Sequence, residues 1–143
     1  MPAMKVEHRI TVQAPPEAIF RIYEDVANWN TWDPDTKSAS LDGPLRAGAR
    51  GKLTPTKGTT VPMLVTEAER TSGFTVESKI PMLRMVFEHV LSPAASGTEV
   101  VHRVTVSGFL SLLLGPLLSR QLNSGLPVTL AGLKRAVEKP GAA

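Results

Sequence analysis

The sequence predicts an α+β fold, with a curved antiparallel sheet of about seven strands wrapped around a long C-terminal helix. Three observations predict it. The chain opens with strict period-two alternation, continues as short alternating segments punctuated by Gly and Pro, and closes with one apolar stripe at helical spacing. A length of 143 residues is that of one domain, expected to span 1–143 with a core at roughly 4–138. Apolar residues make up 42% and charged residues 20%, which excludes disordered and fibrous chains. The absence of cysteine excludes disulfides, thiolate catalysis and cysteine-ligated metal. The net charge is +3, and no basic run exceeds Lys134-Arg135, so no clustered nucleic-acid footprint exists.

Residues 5–12 alternate, with Val6, Ile10 and Val12 on one face, and form a half-buried first strand. Ala14-Pro15-Pro16-Glu17 stops it and suits a helix's first turn. Ala18, Ile19, Ile22, Tyr23 and Val26 follow at helical spacing, so a short amphipathic helix is expected. Residues 28–33 make a second short helix or turn that holds both tryptophans, and Pro34 ends it. Strands are then expected at 38–42, 48–54, 61–69, 74–80, about 84–91 and 99–106, with a loop at 92–97. Within 61–69, Ala68 falls out of phase with Val61, Met63 and Val65, so a bulge is expected. Leu118, Leu122, Leu126, Leu130, Leu133 and Val137 form the helical stripe, which Pro127 should bend. Residues 110–117 read as a leucine-rich lead-in broken by Gly115-Pro116.

The order of elements resembles the helix-grip fold of the START-like superfamily, also called SRPBCC. Asp25-x3-Trp29-x2-Trp32-Asp33-Pro34 looks like the short-helix motif of its polyketide cyclase/dehydrase-like branch. Gly43-Pro44-Leu45-x2-Gly48 is similar to that branch's turn into the third strand, and Gly97-Thr98-Glu99-Val100 to the start of its last strand. The resemblance implies a ligand cavity between sheet and helix. It also implies that the first strand pairs with the last and the last with its predecessor. It does not select a function, because the superfamily spans lipid carriers, hormone receptors, cyclases and co-chaperones.

The inward faces then supply candidate wall residues: Met63, Phe74, Val76, Met85, Phe87, Leu118, Leu122 and Leu126, each of which would otherwise be plain core. The three histidines are the sharpest feature. His8 shares a face with Val6, Ile10 and Val12; His89 with Met85, Phe87 and Leu91; His102 with Val100, Val104 and Val106. On three neighbouring strands they would approach one another, and at least two are expected to line one cavity. Zinc takes three histidines plus water, but no acidic residue shares those faces, and no metal or other cofactor is expected. General acid/base action on a carbonyl or hydroxyl makes His8, His89 and His102 the catalytic candidates. The plainest reading is neutral, ligand-orienting wall residues. Trp29 and Trp32 read as anchors rather than stacking platforms, and Asp33 and Asp35 as turn and cap residues. Glu67 and Glu69 read as a solvated strand end, and Ser111, Ser119 and Ser124 lack an adjacent base.

The first ten residues carry Lys5, Glu7, His8 and Arg9, so no secretory apolar core is present there. The uncharged stretch 104–119 falls short of a membrane span, so a cytoplasmic protein without stable membrane insertion is expected. Residues 110–118 would form a lid or a patch for membrane or partner, against plain packing on the sheet rim. The expected function is binding of a small hydrophobic ligand: a lipid, a polyketide or an isoprenoid-like molecule. The alternatives are a polyketide cyclase/dehydratase using histidine as acid/base, and a partner-binding co-chaperone or regulator. Oligomeric state is left open by the sequence.

Overall fold

The computed structural model describes residues 4–139, so the expected domain span of 1–143 runs past the described residues at both ends. The elements are β1 (Met4–Val12), α1 (Pro16–Glu24), a 3-10 turn (Val26–Thr31), β2 (Thr36–Leu41), β3 (Arg50–Pro55), β4 (Val61–Glu69), β5 (Gly73–Ile80), β6 (Leu83–Ala94), β7 (Gly97–Ser107) and α2 (Ser111–Glu138). The strands form one antiparallel sheet of seven in the order β1-β7-β6-β5-β4-β3-β2. The sheet curls so that residues of both halves, such as Val12 and Leu53, join one core with Leu130, Leu133 and Val137 of α2. This is the helix-grip architecture.

Three details depart from the sequence reading. First, the expected loop at 92–97 is a tight hairpin: Ala94 pairs with Gly97, leaving only Ala95 and Ser96 between strands. Gly97 sits at φ +102, a left-handed conformation that glycine adopts without a Cβ penalty, and a Cβ there would strike the backbone carbonyl of Val12. Second, the leucine lead-in is the first part of α2, which runs unbroken through Pro116 and Pro127. Both prolines lie on the exposed side, where the carbonyls of Leu112 and Asn123 that lose an amide partner can be hydrated. Third, the helical stripe is unevenly covered: Leu130, Leu133 and Val137 are buried, whereas Leu118, Leu122 and Leu126 are only half-buried. The bulge in β4 lies where Ala68 falls out of phase, between Val65 and Glu67.

The short elements lock α2 in place. Trp29 and Trp32 are buried, and the Trp29 indole N–H donates to the Tyr23 carbonyl at 2.9 Å. The Asp33 carboxylate accepts from the Asp35 amide (3.0 Å), the Thr36 hydroxyl (2.8 Å) and the Thr129 hydroxyl of α2 (2.9 Å). One turn further, Gly132 presses its bare backbone against the Trp32 carbonyl, and a Cβ there would overlap that oxygen. Gly132→Ala should therefore destabilise the domain. Alanine gains about 1 kcal/mol of helix propensity, but overpacking against backbone costs about 1–3 kcal/mol. With so deep an overlap the second effect wins. Urea denaturation giving Gly132→Ala a higher midpoint than wild type would show that α2 can move off the turn freely.

Candidate functional site

Strand register places the three histidines in one row. His8 on β1 is the direct partner of His102 on β7, and His102 that of His89 on β6. The row continues through Phe74 on β5 to Ala68 on β4. One position along, the outward-facing row is ionic: Arg103 donates to Glu7 at 2.6 Å and to Glu88 at 2.8 Å. Because side chains alternate across a strand, a one-residue slip would exchange buried imidazoles for ions, so this register is strongly specified.

The row runs from a buried His102 to a half-buried His89 on one side and a half-buried His8 on the other. His102 is buried and hydrogen-bonds through Nε2 to the Tyr23 hydroxyl at 2.8 Å. The His89 ring stacks on Phe74 with centroids 3.9 Å apart and meets His102 edge-to-face at 4.7 Å. Its Nδ1 lies 3.1 Å from the Phe74 carbonyl. A carbonyl oxygen only accepts, so Nδ1 carries the proton, and in the neutral ring Nε2 is left as an acceptor. No other residue among those described hydrogen-bonds to that nitrogen. His8, half-buried, points from β1 toward α2, where its Nε2 donates to Asn123 Oδ1 at 2.8 Å. The amide orientation is fixed by Asn123 Nδ2 donating to the Ser119 carbonyl at 3.0 Å.

Tyr23 ties these rings together. It projects from α1, is fully buried, and packs against Phe74 (4.8 Å), His89 (5.5 Å) and Trp32 (6.1 Å). Burial pushes its phenol well above the ordinary value, so it stays protonated. Burial also pushes His89 down to about 4, against a smaller opposing effect of the Phe74 carbonyl. His102 is driven well below its ordinary value, first by burial and then by repulsion from His89. Both central imidazoles are therefore neutral at pH 7. Among the described residues no group of three or more acidic or histidine side chains converges as a metal site.

The remaining wall candidates divide in two. Met63, Phe74 and Val76 are buried in the main core around Tyr23. Met85, Phe87, Leu118, Leu122 and Leu126 are only half-buried and cluster with Leu83, Val104 and Val106. Phe87 is two positions from His89 on β6, and Asn123, which meets His8, is flanked by Leu122 and Leu126, so this half-open apolar end adjoins the imidazole row. A depression of about 540 Å³ runs along β4–β6; Phe74 and His89 line it together with Glu67, Thr75 and Glu88, whereas His8, His102 and α2 do not. Glu67 and Glu69 are exposed, with Glu69 accepting from the Thr71 and Ser72 hydroxyls at 2.6 Å each. Tyr23 and Asn123, the partners of the histidines, are absent from the candidates that the sequence suggests. A lone tyrosine on the apolar stripe of a short helix is the signal that a buried hydroxyl needs a partner.

A family model described as polyketide cyclase / dehydrase and lipid transport matches residues 3–138. No curated protein matches the sequence. Among solved structures, the chain is similar to the di-domain ARO/CYC StfQ from the steffimycin biosynthetic pathway, with a TM-score of 0.80 and 12% identity over 99% of this chain and 52% of that one. It is also similar to the Zhui aromatase/cyclase from Streptomyces sp. R1128, with a TM-score of 0.75 and 15% identity over 99% and 100% of the two chains. A third, TTHA0849 from Thermus thermophilus, has a TM-score of 0.72 and 22% identity over 95% and 97%. At these identities the likeness is one of fold.

Proposed function

The chain belongs to the polyketide cyclase / dehydrase and lipid transport family, within the START-like superfamily, and from that premise we propose that it binds a small, largely apolar molecule bearing one hydroxyl. The ligand lies between the N-terminal half of α2 and strands β6 and β7. The observation that carries this reading is the half-covered apolar end, Met85 and Phe87 facing Leu118, Leu122 and Leu126, beside an imidazole with an unused acceptor. Half-buried apolar side chains leave area that a ligand can cover, at about 25 cal/mol per Å². A hydroxyl donating to His89 Nε2 would fix the orientation, as single polar groups do in otherwise apolar pockets.

The protonation states favour binding over proton transfer. A base held down at about 4 is weak, and a ring neutral at pH 7 has no acidic proton to give. The Tyr23 hydroxyl and His102 satisfy each other, whereas the buried Trp32 indole N–H has no hydrogen-bond partner among the described residues. The two central imidazoles are thus neutral acceptors and donors of hydrogen bonds at pH 7, which suits orientation of a bound hydroxyl.

2-Naphthol and naphthalene are suitable probes, followed by quenching of Trp29 and Trp32 fluorescence. 2-Naphthol should bind more tightly than naphthalene, because only it donates to His89. His89→Phe keeps the stack on Phe74, removes the acceptor, and should weaken 2-naphthol by about 1–2 kcal/mol, or roughly 5–30-fold, leaving naphthalene nearly unchanged. Equal affinities for the two probes, or equal losses in the variant, would remove His89 from the site.

A further inference from the structure

We propose that the end of the domain formed by the β5–β6 turn and the start of α2 docks on the surface of an anionic lipid bilayer. This goes beyond the ligand reading and does not depend on it. Of the seven large apolar residues exposed among those described, six lie at this end: Ile80, Met82, Phe109, Leu112, Leu113 and Leu117. They are contiguous in space. The Leu110 amide donates to the Met82 carbonyl at 2.9 Å, and the backbone of Gly108 lies against that of Met82, so the turn and the helix start form one surface. Leu113 and Leu117 follow one another along one side of α2, with Leu113 76% exposed, and Phe109 lies in the turn just before the helix.

A second observation points the same way. Pro81 and Met82 form the two-residue turn between Ile80 and Leu83, and Met82 stands at φ +64. Turns of this sign pattern normally place glycine there, because a side chain at positive φ is strained. Here the strained position carries a large apolar side chain held 60% exposed at the tip of the molecule.

Charge selects the occupant. Lys79, Arg84 and Arg120 are exposed around the patch; Arg84 is offset by its ion pair with Glu77, so Lys79 and Arg120 supply the net positive charge. Residues 104–119 carry no charge, and no Asp or Glu occurs between Glu99 and Glu138. The nearest acid, Glu77, is engaged by Arg84 at 2.8 Å. An apolar tip rimmed by cations matches a bilayer interface with anionic headgroups, each nearby Lys or Arg strengthening binding about fivefold. A second copy of the same face would set these cations against their own equivalents. No helix among the described residues is long and apolar enough to cross a membrane, so the contact lies in the interface.

The full chain should co-sediment with phosphatidylcholine vesicles containing 30% phosphatidylglycerol and bind pure phosphatidylcholine vesicles at least tenfold more weakly. Leu113→Glu should reduce binding to the anionic vesicles at least tenfold, and Arg120→Gln about fivefold, with melting temperatures unchanged because both side chains are exposed. Anionic vesicles bound no better than neutral ones, or equal binding by wild type and both variants, would overturn the proposal. So would a concentration-dependent dimer that Leu113→Glu dissolves, which would assign the patch to a second copy. If Leu113→Glu fails to fold, Arg120→Gln and the loss of binding in 0.5 M salt decide.

Discussion

Leu133→Asp abolishes cooperative folding, whereas Leu122→Asp, eleven residues earlier on the same stripe, leaves a folded domain. Leu133 has no exposed surface and sits in the main core between the sheet and the elements that follow β1. Removing a buried leucine costs about 2–5 kcal/mol, and an unpaired buried carboxylate costs several more. Single-domain proteins hold only about 5–15 kcal/mol in all. Leu122 is half-buried in the second, more open cluster, where a carboxylate can turn to water, so its loss should be limited to about 1–2 kcal/mol. Circular dichroism melts of the two variants provide the comparison. A Leu133→Asp protein melting within a few degrees of wild type would mean that α2 is not gripped by the sheet. A Leu122→Asp protein that fails to fold would mean that the N-terminal half of α2 is as tightly covered as the rest.

That contrast marks where the sequence is legible. Periodicity reports which face of an element turns inward, and here it identifies the strands, the β4 bulge, the α2 stripe and the common side of the three histidines. It does not report how completely the opposing surface covers that face. Leu118 and Leu130 are indistinguishable in the stripe, yet the first is half-open and the second buried. The difference is set by what lies opposite. Tyr23, Trp29 and Trp32 fill the space above β5 and β6, and they arrive from a short segment far away in sequence. The same cause hides the histidine partners. His102 pairs with a hydroxyl 79 residues distant and His8 with an amide 115 residues distant, separations that no local pattern encodes. It also changes which histidine is informative. His102→Phe would strand the buried Tyr23 hydroxyl at a cost of about 1–3 kcal/mol, so a stability loss would mask any ligand effect. The leucine lead-in reads as interrupted because proline removes a donor. It continues because its unpaired carbonyls face solvent, a property of position rather than of residue type.

Acid destabilises the domain through the two central imidazoles, while Asp35, whose carboxyl is pushed up by burial and then by Asp33, acts with the opposite sign. In the unfolded chain a histidine titrates near 6.5, whereas in the fold His89 is held at about 4 and His102 well below its ordinary value. Below 6.5 the unfolded state therefore binds more protons than the native state, and stability rises with pH in that range. The contribution is complete above about 6.5 and is lost as pH falls through the window down to about 4. At about 1.4 kcal/mol per unit, His89 alone accounts for about 3 kcal/mol, and His102 adds to it with the same sign. The groups facing them do not compensate: Phe74 is apolar, and the Tyr23 phenol is neutral throughout. The exposed carboxylates of Glu7 and Glu138 are held below their usual range by Arg103 and Lys134 respectively, so their protonation comes at lower pH. Urea denaturation at pH 7, 6, 5 and 4.5 should show the steepest loss between 6.5 and 4.5. His89→Phe should flatten that slope by up to one proton, while Glu7→Gln leaves it unchanged. Stability constant from pH 7 to 5 would show that the imidazoles are hydrated in the native state, and with that the buried row of β6 and β7 would have to be redrawn.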